Sequence, residues 1–425
     1  MNELRRNIII SSQIGGGGPV IDIDSYLTIV ALEDGLTAAL SGNTIEYCVD
    51  GDGDWKSLKS NVVSTSINQG QTLSFRGNLT PTSSGIGRFT ISKSCDLSGN
   101  CNSLLFGDDA VNNNSLSGKD YAFKYLFDNC TTIRNISSNF LPATTLAYGC
   151  YSSMFQRCTS LTTAPELPAT TLIDFCYHYM FYGCTSLTTA PQLPATTLAN
   201  YCYEYMFQNC TSLTTAPSVL PAMTLATYCY DSMFQNCTSL TTAPALPATT
   251  LAQYCYTGMF QRCTSLTTAP ELPATTLIDF CYNSMFKYCS SLTTAPSVLP
   301  ATTLTLNCYN GMFYGCSKLT TAPQLPATTL ANYCYQYMFY QCTSLTTAPE
   351  LTATTLKSGC YSYMFYGCSK LNYIKAMFTT KPTSTYTNSW VLGVSDKGTF
   401  VKNKNATWDV TGYNGVPSGW TVQTA

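Results

Sequence analysis

Leu198, Cys202, Met206, Cys210 and Leu213 follow one another at spacings of four, four, four and three residues, with Tyr203 and Phe207 beside them. Drawn on a helix, these positions form one apolar stripe, so the spacing predicts an amphipathic helix. Between them the residue changes from one copy of the pattern to the next. Ser152, His178, Glu204, Asp231, Thr257, Asn283, Asn310, Gln336 and Ser362 share one position and are expected to face water. After the stripe come LTTAP, Leu-Pro and a Thr pair. Pro217 and its equivalents lack the N–H that a central ladder requires, which limits the predicted strand to Leu-Thr-Thr-Ala. Such strands, stacked coil on coil, would give a parallel Thr-lined sheet on one face and helices on the other.

The pattern repeats. Aligned on Cys-Tyr pairs, the units begin at Cys150, Cys176, Cys202, Cys229, Cys255, Cys281, Cys308, Cys334 and Cys360, a period of 26 residues that twice stretches to 27. Both long units read Ser-Val where the others have one residue, at Ser218-Val219 and Ser297-Val298, and slack at one fixed point predicts a loop. A second cysteine stands eight residues after each first one, and Ala122, Phe127 and Cys130 mark a degenerate tenth unit. A period of this length means a solenoid or a propeller, because one unit cannot bury its apolar face alone. The expected form is a right-handed α/β solenoid of ten coils with a sheet face about 45 Å long.

The unit "LPATTLANYCYEYMFQNCTSLTTAP" resembles the BspA-type leucine-rich repeat, whose members carry Leu-Pro, a helix ending in Ala-Phe-x-x-Cys, Ser-x-Leu and a short strand. Met206-Phe207 stands where that family usually has Ala-Phe, and Cys210 and Leu213 match its Cys and Leu. The resemblance covers residues 120–375. It implies a leucine-rich-repeat solenoid of the kind abundant in gut Bacteroidales and the phages that infect them, whose bacterial members are often exported surface proteins.

The flanks read differently. Residues 1–18 are expected as an N-terminal arm and glycine linker, and residues 19–105, with runs such as "YLTIVAL" and "RFTISK" between turn signals, as an all-β, immunoglobulin-like sandwich. Residues 106–119 are expected as a linker. Over residues 376–425 a Trp-rich β cap, a hairpin carrying Trp390, Phe400, Trp408 and Trp420, would cover the last coil.

Composition narrows the function. Only 10% of residues are charged and the net charge is −2, which leaves no basic stripe for nucleic acid. No run of 18 apolar residues exists to span a membrane. With a single histidine, His178, the Ser-His, Cys-His and His-metal constellations cannot be assembled, so no enzyme, metal or cofactor is expected. His178 itself reads as an exposed helix residue. Two cysteines eight apart on a helix are about 12 Å apart, and neighbouring helices about 8–10 Å, too far for a disulfide. The repeat cysteines therefore read as small buried hydrophobes in a chain folded in a reducing cytoplasm, whereas Cys95 and Cys101 could pair across a loop. Asp50, Asp52 and Asp54 resemble the start of a calcium loop, but residue 61 is Asn and strands flank it, so a hairpin turn is expected.

Tyrosine is in excess. Tyr151, Tyr177, Tyr203 and their equivalents are expected to pack between coils. Tyr179, Tyr205, Tyr337 and Tyr363, with Tyr182, Tyr314, Tyr340 and Tyr366, stand at variable positions and are the candidate binding residues for a glycan or protein. The absence of an export signal, the low charge and the N-terminal arm lead to the expectation of a phage virion surface protein, a fibre or a head or tail appendage. In that reading it is made in the host cytoplasm, attached to other virion proteins by its N-terminal region, and a homo-oligomer is compatible with it. The alternatives are an exported bacterial cell-surface adhesin and a purely structural virion decoration protein.

Overall fold

The computed structural model describes residues 22–425; the arm and glycine linker expected over residues 1–18 lie outside the described residues. Seven short strands precede the repeats: β1 (Leu27–Ala31), β2 (Ala38–Leu40), β3 (Ile45–Val49), β4 (Lys56–Leu58), β5 (Thr72–Arg76), β6 (Phe89–Ile91) and β7 (Cys95–Ser98). An eighth, β8 (Ile133–Ile136), belongs to the first repeat. One sheet runs β4-β3-β5-β1-β7-β8, antiparallel except for the parallel pair β7–β8, while β2 and β6 pair separately. The rings of Phe75, Phe89, Phe127 and Phe155 follow one another at 5.2, 5.3 and 5.6 Å, so the core of this region runs into the coils without a break. Where a linker was expected over 106–119, a helical turn, α1 (Ser103–Phe106), leads into a 3-10 turn at Gly107–Asn112. Asp108 there accepts from the Tyr26 hydroxyl at 2.9 Å and from Arg76 at 2.9 Å. Asp50, Asp52 and Asp54 lie at the β3–β4 hairpin, where Asp50 accepts from the Thr72 N–H and Asp52 from the Asp54 N–H.

The repeats contain no α-helix, only a 3-10 turn at Ser138–Phe140 in the first. In the unit at Cys202 the N–H groups of Glu204, Met206, Gln208 and Cys210 bond to carbonyls three residues back, on Tyr201, Tyr203, Tyr205 and Phe207. The intervening N–H groups, of Tyr203, Tyr205, Phe207 and Asn209, leave the coil and bond to Cys229, Asp231, Met233 and Gln235 in the next. The backbone resets once every four residues into the left-handed region, at Tyr201 (φ 58°), Tyr205 (φ 56°) and Asn209 (φ 64°), and the same three positions do so in all nine Cys-Tyr units. The resulting ribbon turns two side chains in and two out: Cys202, Tyr203, Met206, Phe207 and Cys210 are at most 1% exposed. An α-helix advances 100° per residue, so positions four apart drift by about 40° per step; the four-residue ribbon does not drift. That difference in period, and not any difference in apolarity, replaces the expected helix.

On the opposite side each coil adds one residue to a parallel ladder. Asn135, Thr163, Thr189, Thr215, Thr242, Thr268, Thr294, Thr321, Thr347 and Tyr373 are linked in succession by single bridges in place of the expected strands. The Ser-Val positions expected to loop out pair instead, Val219 with Ala245 and Val298 with Gln324. The ladder then widens into β9 (Tyr373–Ala376), β10 (Thr399–Lys402) and β11 (Thr421–Thr424), which are parallel and in register. This corrects the expected hairpin: a hairpin requires antiparallel strands, and here Thr399 pairs with Tyr373 and Thr421 with Thr399, so the coil repeats twice more. A second helical turn, α2 (Ser384–Thr387), precedes Trp390, which is fully buried. Its carbonyl accepts from the Phe365 N–H as that of Met364 does from Phe339, so it takes the place of the repeat methionine, and its ring lies tilted at 6.1 Å from both Tyr361 and Phe365.

Two ring ladders fill the interior. Nine tyrosines from Tyr151 to Tyr361 stack at 5.7–6.0 Å, and ten phenylalanines from Phe127 to Phe365 at 5.5–5.7 Å. All 22 cysteines are buried and free. The second cysteine of each unit donates its S–H to the phenylalanine carbonyl of the preceding coil, as Cys210 does to Phe181 at 3.1 Å. Burial pushes the Cys210 thiol up to about 12. Cys95 and Cys101 do not bond to each other; Cys95 neighbours Cys130 and Cys101 neighbours Cys150.

Two outcomes follow. A membrane-impermeant thiol reagent should label almost none of the cysteines in the native protein and all 22 in denaturant; rapid native labelling of the repeat thiols would contradict this packing. At Arg262, exposed with φ 63°, Arg262→Gly should raise stability by about 0.5–1 kcal/mol and Arg262→Ile should lower it by about 1–2 kcal/mol, since only glycine enters the left-handed region without steric cost. Denaturant titration reads both.

Candidate functional site

The outward positions of the ribbon form columns along the solenoid, and like residues in adjacent coils meet. Of the predicted binding residues, Tyr179 stacks on Tyr205 at 4.6 Å, Tyr337 on Tyr363 at 4.9 Å, Tyr314 on Tyr340 at 4.4 Å and Tyr340 on Tyr366 at 4.7 Å. Tyr182 packs against Tyr179 at 5.4 Å. All eight are half-buried instead of freely exposed, because each covers part of its neighbour. The structure brings them together as two groups, one around Tyr179 and one around Tyr337, several coils apart. Sequence reasoning missed a third column, one residue before each first cysteine: Phe175, Tyr201, Tyr228, Tyr254 and Phe280 stack at 4.5–4.9 Å. The signal was present as an aromatic at that position in most units, but on a helix that position lies off the variable face.

Each group borders a cleft. The first, of about 350 Å³, has Tyr121, Lys124 and Tyr125 on one side, Phe175, His178 and Tyr179 on the other, and Gly149, Ser152, Ser153 and Gln156 beneath. Its space exists because Ser153 stands in the column that carries Tyr179 and Tyr205 in the next two coils. The second, of about 530 Å³, is bounded by Lys287, Tyr314, Tyr337, Tyr340 and Tyr363 over Ser284, Asn310 and Gly311. Here Ser284 and Gly311 interrupt the same column. In both clefts a lysine lies across tyrosine rings, Lys124 at 4.8 Å from Tyr121 and 5.2 Å from Tyr125, and Lys287 at 4.8 Å from Tyr314.

A family model for the BspA type leucine rich repeat region matches six copies of its unit over residues 150–293 and 280–390. The chain belongs to that family. No curated protein matches it. Among solved structures it is similar to a leucine-rich repeat protein from Bacteroides ovatus, at 16% identity and a TM-score of 0.27 over 67% of this chain and 82% of that one. A leucine rich cell surface protein from Faecalibacterium prausnitzii is similar at 18% identity and a TM-score of 0.31, over 64% and 74% of the two chains.

One column of these BspA-type coils carries ionisable side chains. His178, Glu204 and Asp231 occupy the same position in three successive units, and His178 Nε2 lies 3.0 Å from Glu204 Oε2. None of the three faces water freely: Glu204 and Asp231 are buried and His178 is half-buried against Tyr179 at 4.3 Å, which corrects the exposed position expected for them. Burial first, and then the charge of Glu204, pushes the Asp231 carboxyl up to about 7, against a 2.7 Å hydrogen bond from the Ser232 hydroxyl that lowers it. Burial, with Glu204 nearby, likewise raises the Tyr179 phenol to about 12. Among the described residues, no group of three or more His, Cys, Asp or Glu side chains could hold a metal ion. No described helix is long and apolar enough to cross a membrane.

Asp231 gives a pH prediction whose sign is fixed by linkage. Its folded form keeps a proton up to about pH 7, whereas an unfolded aspartate loses it near pH 4. The folded state therefore binds more protons across that window, and stability falls as pH rises through it. Asp231→Asn should stabilise the protein by about 1–3 kcal/mol at pH 8 relative to wild type and by much less at pH 4. Thermal melts of both proteins across this range test it; a constant difference would contradict it.

Proposed function

We propose that this chain is a non-enzymatic, adhesion-type surface protein whose ribbon face displays an aromatic recognition surface to a glycan or protein on a host cell. The observation that carries the reading is the placement of the tyrosines. Core positions repeat Cys-Tyr-x-x-Met-Phe-x-x-Cys in every unit from Cys150 onward, while the outward columns collect tyrosines into two groups, each beside a cleft. Stacking holds these rings in fixed rotamers, so little side-chain entropy remains to be lost when a ligand covers them. BspA-type membership and the low charge agree with a surface scaffold. In its finer form the reading makes the protein a virion appendage held by its N-terminal region; in the other form it decorates a bacterial cell. Mass spectrometry of purified virions against outer-membrane fractions separates the two.

Replacing Tyr179, Tyr205, Tyr337 and Tyr363 together with Ser should leave the solenoid folded, at a cost of about 1–3 kcal/mol for two lost ring pairs, and reduce attachment of the purified protein to host cells at least tenfold. Undiminished attachment, combined with its loss on changing the exposed threonines of the opposite ladder, would move the recognition surface to that ladder.

A further inference from the structure

The two clefts are interruptions of one column, and their geometry selects a ligand. In the column that lies three residues after the first cysteine, Tyr125, Ser153, Tyr179 and Tyr205 follow one another in successive coils, and further along so do Ser284, Gly311, Tyr337 and Tyr363. Tyr179 and Tyr337 each end a two-ring stack. The aromatic neighbours of Tyr179 are Tyr205, Tyr182 and His178, and none comes from the coil of Ser153. Tyr337 meets Tyr363 on one side; the coil of Gly311 supplies only Tyr314, tilted at 6.3 Å, as a side wall. Each terminal ring therefore turns a free face into a cleft. With successive rings 4.6 Å apart at Tyr179, one missing ring leaves the width of one flat ring against its free face, with Lys124 lying over Tyr125 at 5.2 Å across the cleft.

Resting on the adhesion reading, we propose that these clefts are two saccharide-binding sites, each stacking one pyranose ring on the free face of Tyr179 or Tyr337, and that both prefer acidic sugars. The C–H face of a pyranose is apolar and suits a tyrosine ring, while its hydroxyls need donors and acceptors at the edge. Ser153 and Gln156 supply them in the first cleft, and Ser284 and Asn310 in the second. Volumes of about 350 and 530 Å³ fall within the range of small-ligand sites. The preference comes from charge: Lys124 lines one cleft, Lys287 the other, and neither lining contains a carboxylate. A single lysine per cleft on a chain of net charge −2 suits a sugar carboxylate and is too little for a polyphosphate backbone. The sites stand five to six coils apart, about 25–30 Å at the ~4.8 Å spacing of hydrogen-bonded chains, so a polysaccharide able to reach both gains from avidity.

The test fills the missing rings. Tyrosine already occupies this left-handed position at Tyr179 (φ 56°) and Tyr337 (φ 58°), and Ser153 (φ 56°) and Gly311 (φ 60°) have the same backbone. A Cβ at Gly311 would meet nothing nearer than the Ser284 hydroxyl at 3.4 Å. S153Y should therefore fold with close to wild-type stability, and G311Y should reach the same fold with a lowered melting temperature, the cost of a side chain at positive φ, checked by circular dichroism and thermal melting. Calorimetry of the full chain should find two sites for trigalacturonate, bound more tightly than the neutral maltotriose. Each filling variant should remove one site, the double variant should bind at least tenfold more weakly, and Tyr179→Ala with Tyr337→Ala should reproduce that loss. K124Q and K287Q together should abolish the preference for the acidic trimer while keeping maltotriose binding. Equal affinity for the two trimers overturns the acidic preference, and unchanged binding by the double filling variant overturns the sites. If wild type binds neither trimer yet attaches to host cells, the saccharide inference falls and the adhesion reading stands; if it attaches to no cells, that reading falls whatever the calorimetry shows.

Discussion

Alternate peptide N–H groups of the ribbon leave their own coil and bond to the next, and the rest of the molecule depends on this. Within a unit, the bonds to carbonyls three residues back satisfy only half of the donors. The other half have no partner until a neighbouring coil is in place, and a buried donor without one costs about 1–3 kcal/mol. Left-handed backbone at three positions per unit adds a further steric cost wherever the residue is not glycine. A lone unit would leave those donors to water and bear the backbone cost with no ladder to offset it; a stack pairs the donors and outweighs that cost with two continuous ring ladders. Stability therefore resides in the contacts between coils.

Much of this was legible in the sequence. The period, the nine Cys-Tyr units, the inward set and the buried thiols all follow from the invariance of Cys-Tyr-x-x-Met-Phe-x-x-Cys, whereas the two further rungs at Thr399 and Thr421 do not carry that motif and were not expected. Local conformation was not legible from the same residues. A spacing of four, four and four satisfies a helical stripe loosely and a four-residue turn strictly, and the deciding clue lay in the outward residues. Gly149, Gly258, Gly311 and Gly359 alternate with Asn, Ser and aromatic residues at the left-handed positions, where a helix interior disfavours glycine. The Ser-Val insertions misled for a related reason. An added residue can extend a bridge as readily as a loop when the next coil offers a free carbonyl, as Ala245 does to the Leu220 N–H.

The tyrosines were found as residues but not as an arrangement. Their variability among units marked them as outward-facing, yet only the register between coils shows which share a column, and so which stack and which end a stack. The column led by Phe175 went unnoticed because its register to the stripe differs by one residue from that expected for a helix surface. Likewise, the small residues that open the clefts, Ser153 and Gly311, carry no signal alone; they acquire meaning only beside Tyr179 and Tyr337 in the adjacent coil.

Register has a consequence for how such a surface can change. Every feature on the ribbon face is indexed to a coil, so the distance between two features is a whole number of backbone steps of about 4.8 Å. Loss or duplication of one 26-residue unit between Tyr205 and Ser284 would leave the rings and hydrogen bonds of both clefts as they are and shift one relative to the other by a single step. The solenoid thus works as a ruler, on which separation can be rewritten by unequal recombination among nearly identical repeats while the chemistry at each mark is inherited intact.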